Sequence, residues 1–302
     1  MNFDFCLAWN WEYDADFVAI LRGAFLERGL TVLEVVPDNL TRTLESLGKE
    51  EISFSSFLDR ASESDPDFLS LAHWAEAQCV HFINSHPRAL HAMNKASMHL
   101  EFITAGIHTP YTIILPPFHE QPHLAPFLDL SPLGEKFTIK PAHGGGGEGV
   151  ITEATSLDQV QAARQEYPHD FYLLQAHIVP ARLSGRPAWF RVLYCGERIY
   201  PCWWDIQTHV YTPVTADEEE AFRLTPLYQT TQRIAAVCGL DVFSTEIAQT
   251  GGGLFVAVDY VNDQIDLRLK SSAFDGVPDE IVRDIAVRLA ELVLGIIPTR
   301  AS

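Results

Sequence analysis

Apolar positions at the start of the chain change period twice within a short span. Phe3-Asp-Phe-Cys-Leu-Ala-Trp9 alternates and is rich in aromatics, the pattern of a strand. From Asp14 to Gly29 the residues Phe17, Val18, Ile20, Leu21, Ala24 and Phe25 recur at helical spacing, and Gly29 is a natural stop. Thr31-Val-Leu-Glu-Val-Val36 returns to strand. This order predicts a β-α-β unit and with it a parallel sheet. The turn Asn10-Trp-Glu-Tyr-Asp14 holds no GxGxxG, so a dinucleotide fingerprint is absent there.

Residues 39–75 read as mostly helical connections, and Cys79-Val-His-Phe-Ile-Asn84 as a buried strand. Residues 86–105 are expected to be helical, with a break near Gly106, and Pro110–Leu115 to form a strand. The stretch from Pro116 to Gly134 is proline-rich and holds at most one short helix around 123–130, which places a domain boundary between residues 105 and 135. Lys136–Lys140 is a strand, Ser156–Glu166 a helix with Ser156 as N-cap, and Phe171–Ala176 a strand. Trp189–Tyr194 and Arg198–Trp204 are joined as a hairpin through Cys195-Gly-Glu-Arg198. A helix over 226–238 leads to strands Val242–Ala248 and Leu254–Val261, linked by Gln249-Thr-Gly-Gly-Gly253. A closing amphipathic helix over 278–295 carries Ile281, Ile285, Leu289 and Leu292 on one face.

Composition adds limits to this pattern. With 302 residues the chain is long enough for two or more domains, and 47% hydrophobic with 20% charged residues describes a globular protein. No apolar run approaches the roughly 20 residues that span a bilayer. Met1-Asn-Phe-Asp-Phe-Cys6 has no basic region, so no signal peptide is expected there. Net charge is −19, from 21 Lys+Arg against 40 Asp+Glu. That argues against nucleic acid or an anionic membrane as partner, while leaving room for a small anionic ligand in a local positive pocket. The five cysteines have no CxxC spacing, so neither a disulfide framework nor a zinc site is indicated, and a reducing cytoplasm is the expected location.

Two stretches carry candidate chemistry. Lys140-Pro-Ala-His-Gly-Gly-Gly-Gly-Glu-Gly-Val150 places a lysine at a strand end just ahead of Gly144, Gly145, Gly146, Gly147 and Gly149. Such a backbone can approach a ligand closely: its N–H groups would cradle polyphosphate oxygens while the ammonium neutralises charge. Taken alone, the run reads equally as a flexible hairpin turn. The second stretch is the last strand pair, which delivers Glu246 on one strand and Asp259, Asn262, Asp263 and Asp266 on or just after the other. Hard oxygen ligands on adjacent strands suit Mg²⁺ held between carboxylates and phosphates. Glu246 and Asp259 lie in apolar strands, where carboxylates are rare without a partner. Asp263 and Asp266 read as solvated strand-end acids. Arg191, between Phe190 and Val192, is in a setting that favours a paired role. Arg268 and Lys270 could grip a substrate carboxylate or cap a loop, and His143 and His209 read as incidental.

In order along the chain, these stretches resemble the ATP-grasp superfamily, which includes glutathione synthetase and D-alanine–D-alanine ligase, over roughly residues 80 to 270. Phe82-Ile-Asn-Ser-His-Pro87, Asn94-Lys95 and Ala105-Gly-Ile-His-Thr-Pro110-Tyr-Thr112 resemble the segment leading into the nucleotide-binding part, where the resemblance implies that Lys95 contacts ATP. Phe137-Thr-Ile-Lys140-Pro and the glycine flap are similar to the phosphate-binding strand and loop. Leu173-Leu-Gln175-Ala-His-Ile178 is similar to the hinge whose backbone reads adenine, and Phe190-Arg191-Val-Leu to the strand that carries an arginine to the phosphates and the acyl intermediate. Glu246, Asp259 and Asn262 match the metal ligands. Three departures stand out. Ala176 replaces the usual acid after the hinge glutamine. Asp259-Tyr-Val-Asn262 has two spacers in place of one, so either a bulge restores the geometry or Asp263 substitutes. Asp263-Gln-Ile-Asp-Leu-Arg268 stands where a Pro-Gly turn is usual.

The resemblance implies an α/β (α+β) fold in which an N-terminal β-α-β parallel-sheet domain (1–105) precedes two ATP-grasp subdomains holding ATP between them, 106–180 with the flap and 181–302 with the metal site. It implies an ATP-dependent carboxylate–amine ligase acting through an acylphosphate on small-molecule or amino-acid substrates. ATP and Mg²⁺ (or Mn²⁺) would be its cofactors, and Lys140 and Arg191 would stabilise the transferring group. No convincing Ser-His-Asp or Cys-His arrangement competes with that chemistry. Dimers are common in the family, so a homodimer is compatible with it. Two alternatives stay open: a small-molecule kinase, for which a total of 21 Lys+Arg is sparse, and an ATP sensor without turnover, which the two-spacer motif would fit.

Overall fold

The β-α-β start forms as expected in the computed structural model, which describes residues 1–124 and 128–296. Strand β1 (Asn2–Trp9), helix α1 (Ala15–Leu26) and strand β2 (Val32–Val35) make the unit, with the two strands parallel. Phe5, Cys6, Leu7 and Ala8 are all buried, because a parallel sheet is covered on both faces. Helix α2 (Leu40–Gly48), β3 (Ser53–Arg60), α3 (Leu69–Ala77) and β4 (His81–Ile83) complete a four-stranded parallel sheet of order β2-β1-β3-β4.

Strand β3 corrects the expectation that residues 39–75 are mostly helical connections. It is an interior strand of this sheet, yet Ser53, Ser55 and Ser56 break up its apolar pattern. Phe54, Phe57 and Leu58 carry its burial, and Ser56 is itself completely buried. A serine small enough to sit in the core disguises the strand.

The helical stretch 86–105 is two helices, α4 (His86–Met93) and α5 (Lys95–Thr104). Asn94 between them is extended, and its Oδ1 accepts hydrogen bonds from Ala96 N at 3.1 Å and Ser97 N at 3.0 Å, an N-cap for α5. Next come β5 (Thr112–Leu115), β6 (Phe137–Pro141), β7 (Ile151–Ala154), α6 (Leu157–Glu166) and β8 (Tyr172–Ala176). Their strands form an antiparallel sheet of order β5-β8-β6-β7. The short helix expected around 123–130 falls partly on residues 125–127, outside the described residues; those described on either side are not helical. The proline-rich segment is anchored by Arg164 of α6, whose Nη2 donates to Pro116 O at 2.7 Å and Gln121 O at 2.9 Å.

The remainder begins with a two-stranded ribbon, β9 (Arg182–Leu183) and β10 (Arg186–Pro187). After it come β11 (Trp189–Cys195), β12 (Arg198–Asp205), β13 (Val210–Pro213), α7 (Ala216–Ala221), α8 (Thr225–Cys238), β14 (Val242–Gln249), β15 (Phe255–Asn262) and α9 (Asp279–Ile296). A five-stranded antiparallel sheet has the order β13-β12-β11-β14-β15, and both expected strand pairs are in it. One core joins the two ends of the chain: Ile281, Ile285 and Leu289 of α9 pack with Phe5 and Leu7 of β1 and Phe17 and Phe25 of α1. A second core binds Met98 and Phe102 of α5 to α8 and to β11, β14 and β15. All five cysteines are free thiols, and only Cys79 is exposed. No helix among the described residues is long and apolar enough to cross a membrane.

Candidate active site

Three strands of the five-stranded sheet bring Arg191, Glu246 and Asp259 into one row. Arg191 on β11 is the cross-strand partner of Glu246 on β14, and Glu246 is the partner of Asp259 on β15. Directly opposed residues of antiparallel strands share a face, so the row is set by register alone. Arg191 Nη1 donates to Glu246 Oε1 at 2.6 Å and Nη2 to Ser244 Oγ at 3.1 Å. The second oxygen of Glu246 accepts from Trp189 Nε1 at 3.0 Å. Arg191 Nε is buried without any partner.

The two-spacer motif is resolved by a bulge. Ser244 pairs with Asn262 while Glu246 pairs with Asp259, so β15 has one residue more than β14 across that interval. The bulge brings Asn262 back beside the acid: its Nδ2 donates to Asp259 Oδ2 at 3.0 Å. Asp263 takes no part in the row. It accepts from Asn84 Nδ2 at 2.8 Å, and burial pushes its carboxyl up to about 6.

Lys140, at the end of β6, reaches this row from the neighbouring sheet. It is buried, donates to Val258 O at 3.2 Å, lies 4.0 Å from Asp259 Oδ1 and stands over the Tyr260 ring at 5.3 Å. Burial pulls the Lys140 ammonium below its ordinary value, with the charge of Asp259 resisting. Burial acts on Asp259 too, but Lys140, Lys95 and Arg191 outweigh it and hold the carboxyl below the usual aspartate value. Under Lys140, the Tyr260 hydroxyl meets His99 Nδ1 at 2.6 Å and accepts from Gln175 Nε2 at 3.0 Å.

The glycine run lies exposed between β6 and β7. Gly144, Gly146, Gly147 and Gly149 have φ of +96°, +62°, +82° and +68°, the left-handed region that a side chain disfavours. A Cβ on Gly149 would also stand 2.8 Å from the Tyr167 ring. The base of the run is tied down: Lys95 Nζ donates to Gly144 O at 2.5 Å, and His143 pairs through Nδ1 with Asp170 at 2.8 Å and through Nε2 with Asn94 at 3.2 Å.

Among the residues singled out from sequence, Lys95, Lys140, the glycines, Arg191, Glu246, Asp259 and Asn262 converge. Gln175 instead turns its side chain inward to Tyr260, and Ile178 sits half-buried just beyond β8. Arg268 is spent on Asp266 at 2.6 Å and Asp275 at 2.9 Å. Lys270 caps its own loop, donating to Phe274 O at 2.5 Å. Sequence reasoning missed Trp189 and Ser244. Each stands two positions before a named residue, Arg191 or Glu246, and strand alternation puts it on the same face.

The site holds two carboxylates and one amide oxygen within its row, a hard-oxygen set suited to Mg²⁺, which keeps water and phosphate as further ligands. Among the described residues no group of three or more His, Cys, Asp or Glu side chains could hold a metal ion by itself. At the carboxyl edge of the first parallel sheet, a cavity of about 340 Å³ opens between segments 10–14, 60–64 and 264–266.

No family model matches the chain, and no curated protein matches it in sequence. Solved structures do match in fold. A RimK domain ATP-grasp protein from Sphaerobacter thermophilus superposes with a TM-score of 0.65 at 21% identity, over 96% of this chain and 99% of that one. The chain has the ATP-grasp fold. D-alanine–D-alanine ligase from Bacillus anthracis, complexed with ATP, gives 0.67 at 10% identity over 98% and 97%. The ATP-grasp ligase PsnB, complexed with minimal precursor, Mg and ADP, gives 0.63 at 12% identity over 97% of each chain. Because the coverage is nearly complete, the ATP-grasp likeness extends beyond residues 80–270 to the first parallel sheet and to α9.

Proposed function

We propose that this protein is an ATP-dependent ligase that joins a carboxylate to an amine through an acylphosphate. The observation that carries the reading is the registered row Arg191–Glu246–Asp259, faced by buried Lys140 at the root of a glycine flap. The ATP and the Mg with ADP in two of the structures that share this fold support it. In this reading residues 1–105 form the first domain, 106–180 the flap subdomain and 181–302 the subdomain of the acidic row.

Lys140, Lys95 and the flap N–H groups would hold the triphosphate, with the hinge at Gln175–Ile178 along the adenine. Glu246, Asp259 and Asn262 would hold Mg²⁺, which when bound neutralises phosphate charge. A substrate carboxylate oxygen attacks the γ-phosphorus, the bond to the bridging oxygen of ADP breaks, and an acylphosphate forms. Arg191, pinned by Glu246 and Ser244, places a fixed cation where charge accumulates on the transferring group. The amine then attacks the carbonyl carbon, losing a proton as phosphate leaves. An acylphosphate is lost to hydrolysis in open water, and closure of the flap would exclude it.

Incubation with ATP, Mg²⁺ and pooled amino acids tests the reading. ADP, phosphate and an amide product are expected together. A phosphorylated acceptor without an amide, or no ADP with any acceptor, would overturn it.

A further inference from the structure

One side chain outside the row holds both ends of the strand pair that carries Glu246, Asp259 and Asn262. Asn84 follows β4 of the first parallel sheet and is buried, with φ of +55°, a left-handed conformation that asparagine tolerates. Its Oδ1 accepts from Asp241 N at 2.8 Å and from Val242 N at 3.0 Å. Its Nδ2 donates to Val242 O at 2.5 Å and to Asp263 Oδ1 at 2.8 Å. Both lone pairs and both N–H groups are used, so the amide has one satisfied orientation. A flip would set its NH₂ against two N–H donors and its oxygen against two acceptors.

These contacts bracket the bulge. Val242 lies two residues before Ser244 on β14, and Asp263 directly follows Asn262, the last residue of β15. Ser244–Asn262 is the last pair of the ladder at that end. The Asn84 amide then meets both the N–H and the C=O of Val242, as a peptide group of a longer β15 would. The bulge returns Asn262 Nδ2 to Asp259 Oδ2, at 3.0 Å, only while Asn262 stays opposite Ser244, because a slip of one residue turns a side chain to the other face. A clamp on Val242 and Asp263 fixes that register.

We propose that Asn84 is a positioning residue for the acidic row: from the first sheet it sets the register of β14 and β15 at the bulge and thereby holds Asn262 beside Asp259. It acts through Asp241, Val242 and Asp263, across 157 to 179 residues of sequence, and its four hydrogen bonds go to no member of the row. The first parallel sheet is thus coupled to the geometry of the row and not only packed beside it. The inference rests on the reading that Glu246, Asp259 and Asn262 hold Mg²⁺.

Binding of Mn²⁺ in the presence of ADP, read by electron paramagnetic resonance on the full chain, tests it without turnover. Asn84→Asp keeps the size of the side chain and an acceptor for Asp241 and Val242, but sets a second oxygen against Val242 O and Asp263 Oδ1. It should weaken Mn²⁺ binding about tenfold or more, the effect usual for a residue that orients a metal ligand. Adding Asp263→Asn supplies an N–H that can donate back to the new carboxylate, and should recover part of the loss. Hydrogen exchange over residues 240–246 and 259–264 should speed up in the single variant and slow again in the double one. Asp263→Ala, which leaves Asn84 on β14 and removes only its hold on β15, decides the matter if Asn84→Asp does not fold, and should weaken Mn²⁺ in the same direction. Unaltered Mn²⁺ affinity in these variants, even with faster exchange, would make Asn84 a structural contact only and overturn the proposal, and so would an equal loss in the single and the double variant. Mn²⁺ bound alike by the unaltered protein and the variants overturns this inference alone, whereas no Mn²⁺ bound by the unaltered protein with ADP would overturn the metal reading and the inference with it.

Discussion

Asn262 donates from Nδ2 to Asp259 Oδ2 at 3.0 Å, although two residues separate them on one strand. In regular β structure, residues three apart face opposite sides of a sheet. The bulge between the Ser244–Asn262 and Glu246–Asp259 pairs reverses that parity and lets both side chains serve the same face. Asp263, which follows, is turned to Asn84.

From this geometry Asn262→Ala should lower ATP turnover about tenfold or more and raise the Mg²⁺ concentration required, because it removes an oxygen beside Asp259. Asp263→Asn should leave the Mg²⁺ dependence as it is. Steady-state ADP formation against Mg²⁺ concentration separates the two. The opposite ranking would mean that Asp263 is the ligand.

The flap glycines differ in what they tolerate. Gly149→Ala meets both a positive φ and the Tyr167 ring at 2.8 Å, and should cost about 1–3 kcal/mol in urea unfolding. Gly145 has no positive φ and no atom within 4 Å of an added Cβ, so Gly145→Ala should leave stability unchanged to within about 1 kcal/mol. Equal effects of the two would contradict the flap conformation.

Burial, helped by the Lys140 charge, lowers His99 from 6.5 to about 4. Over that window the unfolded chain binds a proton at this residue and the folded chain does not. Stability therefore falls as pH drops from 6.5 towards 4, and is fully present above 6.5. His99→Gln, which can still bond the Tyr260 hydroxyl, should flatten that part of the curve. Urea unfolding at several pH values reads it, and an unchanged slope would remove His99 from the account.

Lys140→Met removes the ammonium and keeps the length of the side chain. It should weaken ATP binding about ten- to a hundredfold, the range expected for one or two hydrogen bonds to charged groups. Lys270→Ala should leave ATP binding untouched, since Lys270 only caps its own loop. Calorimetric titration of ATP compares them, and wild-type affinity in Lys140→Met would refute the assignment.

What was legible in the sequence is local. Lys140 and its glycines announced themselves, because so many residues free to take positive φ have few structural uses. Glu246 and Asp259 were readable as charges inside apolar strands. The strand at 53–60 was hidden by Ser53, Ser55 and Ser56, and with it went Arg60, which chelates Asp14. The partner of Arg60 lies 46 residues away, a pairing no local pattern can reveal. Asp259-Tyr-Val-Asn262 left two geometries open, because a bulge depends on the register of the opposite strand. Gln175 matched a hinge, yet its amide serves Tyr260, a contact between two sheets.

The central claim is passage of a phosphoryl group through a substrate carboxylate. Its most direct test uses amino acids labelled with heavy oxygen in the carboxylate, with ATP and Mg²⁺, and mass analysis of the released phosphate. An acylphosphate route predicts one labelled oxygen in each phosphate formed, matched by its loss from the amide product. Unlabelled phosphate alongside ADP would mean that water or a hydroxyl takes the phosphoryl group, and would contradict the account.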